Sequence, residues 1–174
     1  MNKLVKSALV ACMLLFGCHV SADENKVDVK VYWDDPKGFT DINAGVESEA
    51  TFSKRVMRSL EKYFIQLGQK LPAGYSWEIR VTDLDLAGKV TSAYWRGREA
   101  LRVMDTFFDP SITISYVVKD RTGKIIAGDK DFNLTDAYVK SYPSELFMRK
   151  PFSYEKYMIK IWFNKVLLPF VENS

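Results

Sequence analysis

Cysteine and histidine are almost missing from this chain: two cysteines and one histidine occur in 174 residues. They are Cys12, Cys18 and His19, all within the first 22 residues. Those residues have the three-part form of a secretory signal peptide: Lys3 and Lys6, an apolar run over residues 8–16, then Val20, Ser21 and Ala22 ahead of Asp23. Cleavage after Ala22 predicts a product, residues 23–174, without thiol or imidazole. Such a product forms no disulfide, runs no Cys, His or Ser-His-Asp chemistry, and builds no zinc or copper site on His or Cys. Its core must hold an exported domain together alone.

Long apolar runs are also lacking. The stretch over residues 8–16 is far short of the roughly 20 residues that span a bilayer, and no later stretch supplies them. A one-sided charge is absent too: Lys+Arg is 25 against Asp+Glu 22, and losing Lys3 and Lys6 leaves a net charge of +1. That balance argues against nucleic acid as partner, because phosphate backbones are met with concentrated Lys and Arg. No repeat, low-complexity tract or long linker divides residues 23–174, so they read as a single domain. The expected location is the periplasm or the exterior. Leu15-Phe16-Gly17-Cys18 resembles a lipobox and gives the alternative, a lipoprotein anchored through Cys18, but the bulk of Phe16 and the small-residue pattern of Val20 and Ala22 favour the soluble product.

What is present is periodicity. Val27, Val29, Val31 and Trp33 alternate with Asp28, Lys30 and Tyr32, the period of a strand with one buried face, and Asp34-Asp35-Pro36-Lys37-Gly38 ends it. Residues 39–42 read as loop. From Ser48, a good N-cap, Phe52, Val56, Leu60, Phe64, Leu67 and Leu71 recur at helical spacing until Pro72-Ala73-Gly74. Trp77, Ile79 and Val81 face one way on a second strand. After Thr82 the parity inverts, with Leu84 and Leu86 apolar and Asp83 and Asp85 in the inherited positions, so a bulge or the sheet edge lies near residues 82 and 83. Residues 99–104 read as a short strand. Residues 111–119 and 124–134 form a hairpin about Asp120-Arg121-Thr122-Gly123. Helical spacing resumes through Tyr154, Tyr157, Met158, Ile161, Trp162 and Val166, closed by Pro169. The fold predicted is α+β: a mixed, mostly antiparallel sheet of about four to five strands with two main helices packed on one face.

Trp33-Asp-Asp-Pro-Lys-Gly-Phe-Thr-Asp-Ile42, Val81-Thr-Asp-Leu-Asp-Leu-Ala-Gly88, Pro110-Ser-Ile-Thr-Ile-Ser-Tyr116 and Tyr154-Glu-Lys-Tyr-Met-Ile-Lys-Ile-Trp-Phe163 resemble the landmarks of the secreted bacterial proteins grouped as domain of unknown function 3016. The resemblance runs through nearly all of residues 23–174. It implies export and one domain, and transfers no catalytic residue, since that family carries no assigned activity.

Three motifs imitate chemistry and fail on detail. Asp129-Lys-Asp131-Phe-Asn133 begins like a calcium loop, but Leu134 stands where Gly must turn and Lys140 where a bidentate Glu must close, so a solvated strand edge is expected. Ser153-Tyr-Glu-Lys156 and Ser59-Leu-Glu-Lys62 both match Ser-x-x-Lys without a following Ser-Asp-Asn, and read as helix surface. The last helix carries Arg149, Lys150, Lys156, Lys160 and Lys165 beside Trp162 and Phe163, like a membrane-surface helix, yet the sheet needs a cover and the stripe is expected to supply it. Tyr94, Trp95, Arg96 and Arg98 form an aromatic and basic stretch whose simplest use is packing.

The acidic set Asp34, Asp35, Asp41, Asp83 and Asp85 is the best candidate for function. Parallel neighbours would gather it at one sheet edge, where carboxylates bind divalent cations or split acid and base roles. The competing use is turn capping and pairing with Arg98 or Arg102. The expected binding region is therefore Trp33, Asp34, Asp35, Asp83 and Asp85 with Arg98 or Arg102 as counter-charge, on the ground that Asp83 and Asp85 share the apolar face of Trp77. No catalytic residue, metal ligand set or cofactor is assigned. The expected role is non-enzymatic binding or assembly in the cell envelope, with a protein, glycan or lipid partner and no nucleic acid. The alternative is a carboxylate-based hydrolase, with or without the help of a metal ion, using the Asp83 and Asp85 region.

Overall fold

In the computed structural model, residues 26–91, 101–103, 109–135 and 150–174 are described. Strand β1 (Asp28–Trp33) alternates as its sequence dictates, with Val29, Val31 and Trp33 half-buried. Helix α1 (Glu49–Gly68) follows. Its buried stripe is Phe52, Val56, Leu60, Phe64 and Leu67, one residue per turn, which lays the helix on the sheet. A Cβ on Gly68 would collide with Val29 Cγ2 and approach Trp77 Cε3 at 3.2 Å, so only glycine lets the helix end dock this closely. Ser48 receives Thr51 N–H and Phe52 N–H on its carbonyl at 2.9 Å each, while its hydroxyl makes no cap bond. The helix stops at Gly68 rather than Leu71. Three tighter turns carry Leu71, still buried, to the next strand.

Strand β2 (Ser76–Asp85) lies parallel to β1, with Asp28 opposite Ser76 and Trp33 opposite Val81. A parallel pair needs a long crossover, and α1 is that crossover. Strands β3 (Lys89–Thr91) and β4 (Leu101–Val103) form a separate antiparallel pair, in agreement with the short strand expected around residue 100. Strand β5 (Ser111–Lys119) runs antiparallel to β2, and β6 (Ile125–Thr135) returns beside it. The main sheet has the order β1-β2-β5-β6, a mixed sheet with two of its three pairings antiparallel. Residues 129–133, the calcium-loop imitation, lie in the edge strand β6. Asp131 there adopts φ 52° and with Lys130 opposes Ser115 as a bulge.

The parity break at Thr82 is a bulge. Val81 pairs with Ile114 and Asp83 with Thr113, so Thr82 is the extra residue and Leu84, opposite Ile112, returns to the core face. This corrects the expected placement of the carboxylates: Asp83 and Asp85 stand on the face opposite Trp77, Ile79 and Val81. One inserted residue shifts the side-chain period by one, which is how a sequence moves charges out of a core without breaking the strand.

Helix α2 (Ser153–Trp162), a π-turn over Phe163–Leu167 and α3 (Leu168–Glu172) make one continuous final helix. Pro169 therefore does not close it. Leu168 N–H reaches back to Phe163 O, and the wider turn relieves the clash a proline ring otherwise makes with the carbonyl four residues earlier. The buried residues of α2 are Ser153, Glu155, Met158, Ile159 and Trp162, with Tyr154, Tyr157 and Ile161 only half-buried and Val166 exposed. The stripe is thus rotated from the expected one and takes in a carboxylate. Its aromatics meet the sheet: Trp77 lies 5.4 Å from Phe163 and 5.8 Å from Phe64 between ring centroids, and Trp162 lies 5.3 Å from Tyr116. Both long helices cover the same sheet face. No helix among the described residues is long and apolar enough to cross a membrane.

Candidate functional site

The chain leaves the sheet after Trp33 and comes back. Asp34 N–H still bonds Val81 O at 2.9 Å. Asp35 then takes φ 42°, Pro36–Gly38 forms a 3-10 turn, and Phe39 drops into the core 6.4 Å from the Trp33 ring. Asp41 rejoins β2 as a parallel bridge to Asp85, through Asp41 N–H to Leu84 O and Leu86 N–H to Asp41 O, both 3.1 Å. Residues 39–42 are therefore more than loop: one side chain is buried and one backbone unit is paired.

Two carboxylates fix this excursion. Asp83 accepts Thr40 N–H on Oδ1 and the Thr40 hydroxyl on Oδ2, both at 2.7 Å. Asp41 is gripped by Arg102, Nη2 to Oδ1 at 2.9 Å and Nη1 to Oδ2 at 3.1 Å. The same guanidinium donates to the carbonyls of Leu86, Ala87 and Gly88 at 3.0 to 3.3 Å and of Asn43 at 3.0 Å. A planar fork with five donors suits a cluster of converging oxygens in a way an ammonium does not. Arg102 is thus the counter-charge that sequence suggested, but of Asp41 rather than of Asp83 or Asp85.

The Asp85 carboxylate sits among these groups with no hydrogen bond or ion pair of its own among the described residues. Burial pushes its carboxyl above the usual range, the charges of Asp41 and Asp83 push the same way, and Arg102 pulls it down. Asp34 faces elsewhere and pairs with Arg80 at 2.6 Å, a largely exposed contact of little energetic weight. Asp35 stays in its left-handed turn near Gly38. The Trp33 indole N–H is buried without a partner among the described residues. Arg98, with Tyr94, Trp95 and Arg96, lies outside the described residues. Of the expected site, then, Asp83, Asp85 and Arg102 come together around Asp41, while Asp34 and Asp35 do not join them.

Sequence reading missed Glu155. It is 2% exposed, its Oε1 accepts Ala87 N–H at 2.8 Å, and its Oε2 has no partner among the described residues. Burial pushes its carboxyl up, opposed first by the Ala87 N–H and then by the positive charges of Arg102 and Lys156. The 86–88 backbone is thereby held from both sides, its carbonyls by Arg102 and one N–H by Glu155. Only the rotated helix stripe could have revealed this, and Tyr154 and Ile161 conceal the rotation in the sequence.

Beside the excursion lies a groove of about 660 Å³ between residues 36–43 and the first half of α1. Phe39, Ile42, Ala50 and Met57 line it with apolar surface, and Lys37, Asp41, Glu49 and Lys54 give two charges of each sign. It opens at the carboxyl ends of the parallel strands β1 and β2, the place where open sheets most often take ligands. Among the described residues no three acidic, His or Cys side chains are grouped closely enough to hold a metal ion.

A two-layer α+β protein with an arginine-clamped loop beside a groove is the class that fold and site define. The chain belongs to the family described as protein of unknown function, DUF3016, whose family model matches residues 27–165. No curated protein matches it. A similar solved structure is that of the hypothetical protein CT253 from Chlamydia trachomatis, 13% identical, covering 86% of this chain and 99% of that one with a TM-score of 0.34, a likeness too slight to bear on function.

Proposed function

We propose that the chain is an exported, non-enzymatic binding module of the cell envelope whose groove takes an apolar side chain of a protein partner. The observation that carries this reading is the use made of the carboxylates: both oxygens of Asp83 and both of Asp41 are engaged in holding residues 40 and 41 in place. They act as buttresses of a groove wall, and a wall fixed before binding costs less to order when the partner arrives. Apolar lining with balanced charge and an adaptable methionine fits a protein side chain better than a sugar, which asks for an exposed aromatic face.

A photo-crosslinking residue at Met57, compared with one at Lys130 on the far edge strand, tests it in intact cells. The expected result is a discrete adduct from Met57 alone, abolished by Ala50→Trp, which fills the groove. No groove-specific adduct would count against the reading. Export is tested by intact mass, expected to begin at Asp23; a diacylglyceryl Cys18 would establish the lipoprotein instead, and a product keeping residues 1–22 would refute export.

One observation favours the hydrolase reading. Asp85, raised by burial and by two neighbouring carboxylates, is the kind of group that donates a proton. Turnover of a glycoside and phosphoester panel that vanished in Asp83→Asn and Asp85→Asn proteins of unchanged stability would replace the binding module with an enzyme.

A further inference from the structure

A second surface, on the stripe of α1 next to the groove, is built differently. Thr51, Lys54, Arg55, Arg58, Ser59 and Lys62 line a cavity of about 500 Å³. Lys54 and Arg58, Arg55 and Arg58, and Arg58 and Lys62 stand three or four residues apart, so each pair of like charges faces itself across one helical turn and costs the helix stability. Of the four cations lining this cavity, Arg55 alone has an acidic partner among the described residues, Glu47 at 2.5 Å. From the other helix, Lys156 brings a further ammonium, bonded by two neutral acceptors, Ser59 Oγ at 2.7 Å and Pro151 O at 2.9 Å. Burial pulls its pKa down, opposed by the charge of Glu155 and aided by that of Lys150.

Aromatic rings hold the cations in position. The Arg55 guanidinium lies 5.1 Å from the Phe52 ring and 5.6 Å from the Phe152 ring, and Lys156 Nζ lies 5.9 Å from Phe152. Phe152 reaches this place from a left-handed backbone, φ 55°, a strained conformation for a bulky residue. Phe152 also packs edge-on to Phe52 and against the core. Repulsion along one stripe and a neighbouring cation without a carboxylate in contact stabilise nothing by themselves, and both are relieved by an anion.

We propose that this cleft is a phosphoryl-binding site, in which Arg58 and Lys62 contact the phosphoryl oxygens directly, with Arg55 and Lys156 oriented beside them and the hydroxyls of Thr51 and Ser59 as neutral donors. Phosphate presents several acceptors to converging Arg and Lys donors, the geometry such forks serve. The same chemistry is offered by an anionic lipid headgroup and by a free phosphate, and the site adjoins the apolar groove, with which it shares Lys54, without resting on what that groove binds.

The test compares the full chain with Arg58→Gln/Lys62→Gln, both exposed positions where glutamine keeps helix propensity. One arm measures the melting midpoint in sodium phosphate against sodium chloride of equal ionic strength. The other measures co-flotation with phosphatidylglycerol vesicles against phosphatidylcholine vesicles, the latter subtracting whatever the apolar segment over residues 8–16 contributes. A phosphate-specific rise in the wild type alone identifies free phosphate. Vesicle binding that falls about tenfold or more in the variant, as expected for two lost charges, identifies the headgroup. Equal responses of the two proteins in both arms, or no response in either, overturn the site.

Discussion

Arg102 grips Asp41 with both of its terminal nitrogens, at 2.9 and 3.1 Å, and with the same two nitrogens closes four backbone carbonyls. The pair is mostly buried, 15% and 23% exposed at the side chains. It joins the short strand β4 to the loop that walls the groove, so one side chain ties the small sheet to the large one.

Removing it should be costly. Arg102→Ala leaves a carboxylate and several carbonyls without their donor, and the expected loss is about 3 kcal/mol in urea unfolding. Arg102→Lys keeps the charge but cannot serve six contacts from one ammonium, and should lose about 1.5–3 kcal/mol. A neutral Arg102→Ala protein would show that Asp41 and the carbonyls find water instead.

Glu155 gives a pH signature. Its folded carboxyl is raised by burial, so between the unfolded and folded values the native state holds a proton that the unfolded chain has released. Stability is then fullest below the usual carboxylate range and falls as pH rises through the folded value. Glu155→Gln keeps an acceptor for Ala87 N–H without a charge, and should flatten this decline, ending more stable than the wild type at alkaline pH. Glu155→Leu orphans that N–H and should lose about 1–3 kcal/mol at acid pH, where the wild type is neutral. Parallel pH profiles for wild type and Glu155→Gln would contradict the assignment.

Gly68 offers a test in which two rules oppose. Alanine is the better helix former by about 1 kcal/mol, yet its Cβ would strike Val29 Cγ2 and crowd Trp77. Overpacking of this kind costs about 1–3 kcal/mol, so Gly68→Ala should come out neutral to destabilising by about 2 kcal/mol, with α1 docked less closely. A thermal melt above that of the wild type would mean that β1, an edge strand, yields freely.

The periodic elements were legible because each has one face against the core: Val27 to Trp33 at period two, Phe52 to Leu67 at helical period. The last helix was less so. Tyr154, Tyr157 and Ile161 share one side of it and adjoin Met158, Ile159 and Trp162 on the next, so apolar residues take up more than half of the circumference, the stripe had no unique direction, and Glu155 looked like solvent surface. The acidic site was legible only in part: Asp83 and Asp85 lie at the end of the parallel strand β2 where Asp41 rejoins it, but Asp34 and Asp35 do not join them. Its pairing was not, because partners such as Thr40 with Asp83 and Arg102 with Asp41 are set by a loop that leaves the sheet and rejoins it, and no local pattern encodes that return. Arg98 falls outside the described residues.

Thr82 tests the link between sequence parity and fold. It is the residue by which β2 exceeds β5, and its own side chain makes only a 3.4 Å bond to Thr113 O. Thr82→Ala should therefore change stability by less than about 1 kcal/mol. Deleting Thr82 should be mild for the core. Asp83 then follows Val81 directly and still falls opposite Thr113, with Leu84 opposite Ile112, so Asp83 and Asp85 keep the outer face and Leu84 and Leu86 the core face. What the deletion removes is the local bend and added twist of the bulge, and with them the fit of Asp83 to Thr40, a loss of about 1–3 kcal/mol. The deletion protein should therefore keep a cooperative thermal transition, with a midpoint below that of Thr82→Ala, which melts near the wild type. A deletion protein without a cooperative transition would show that the bulge itself is needed to seat the 34–41 excursion on β2.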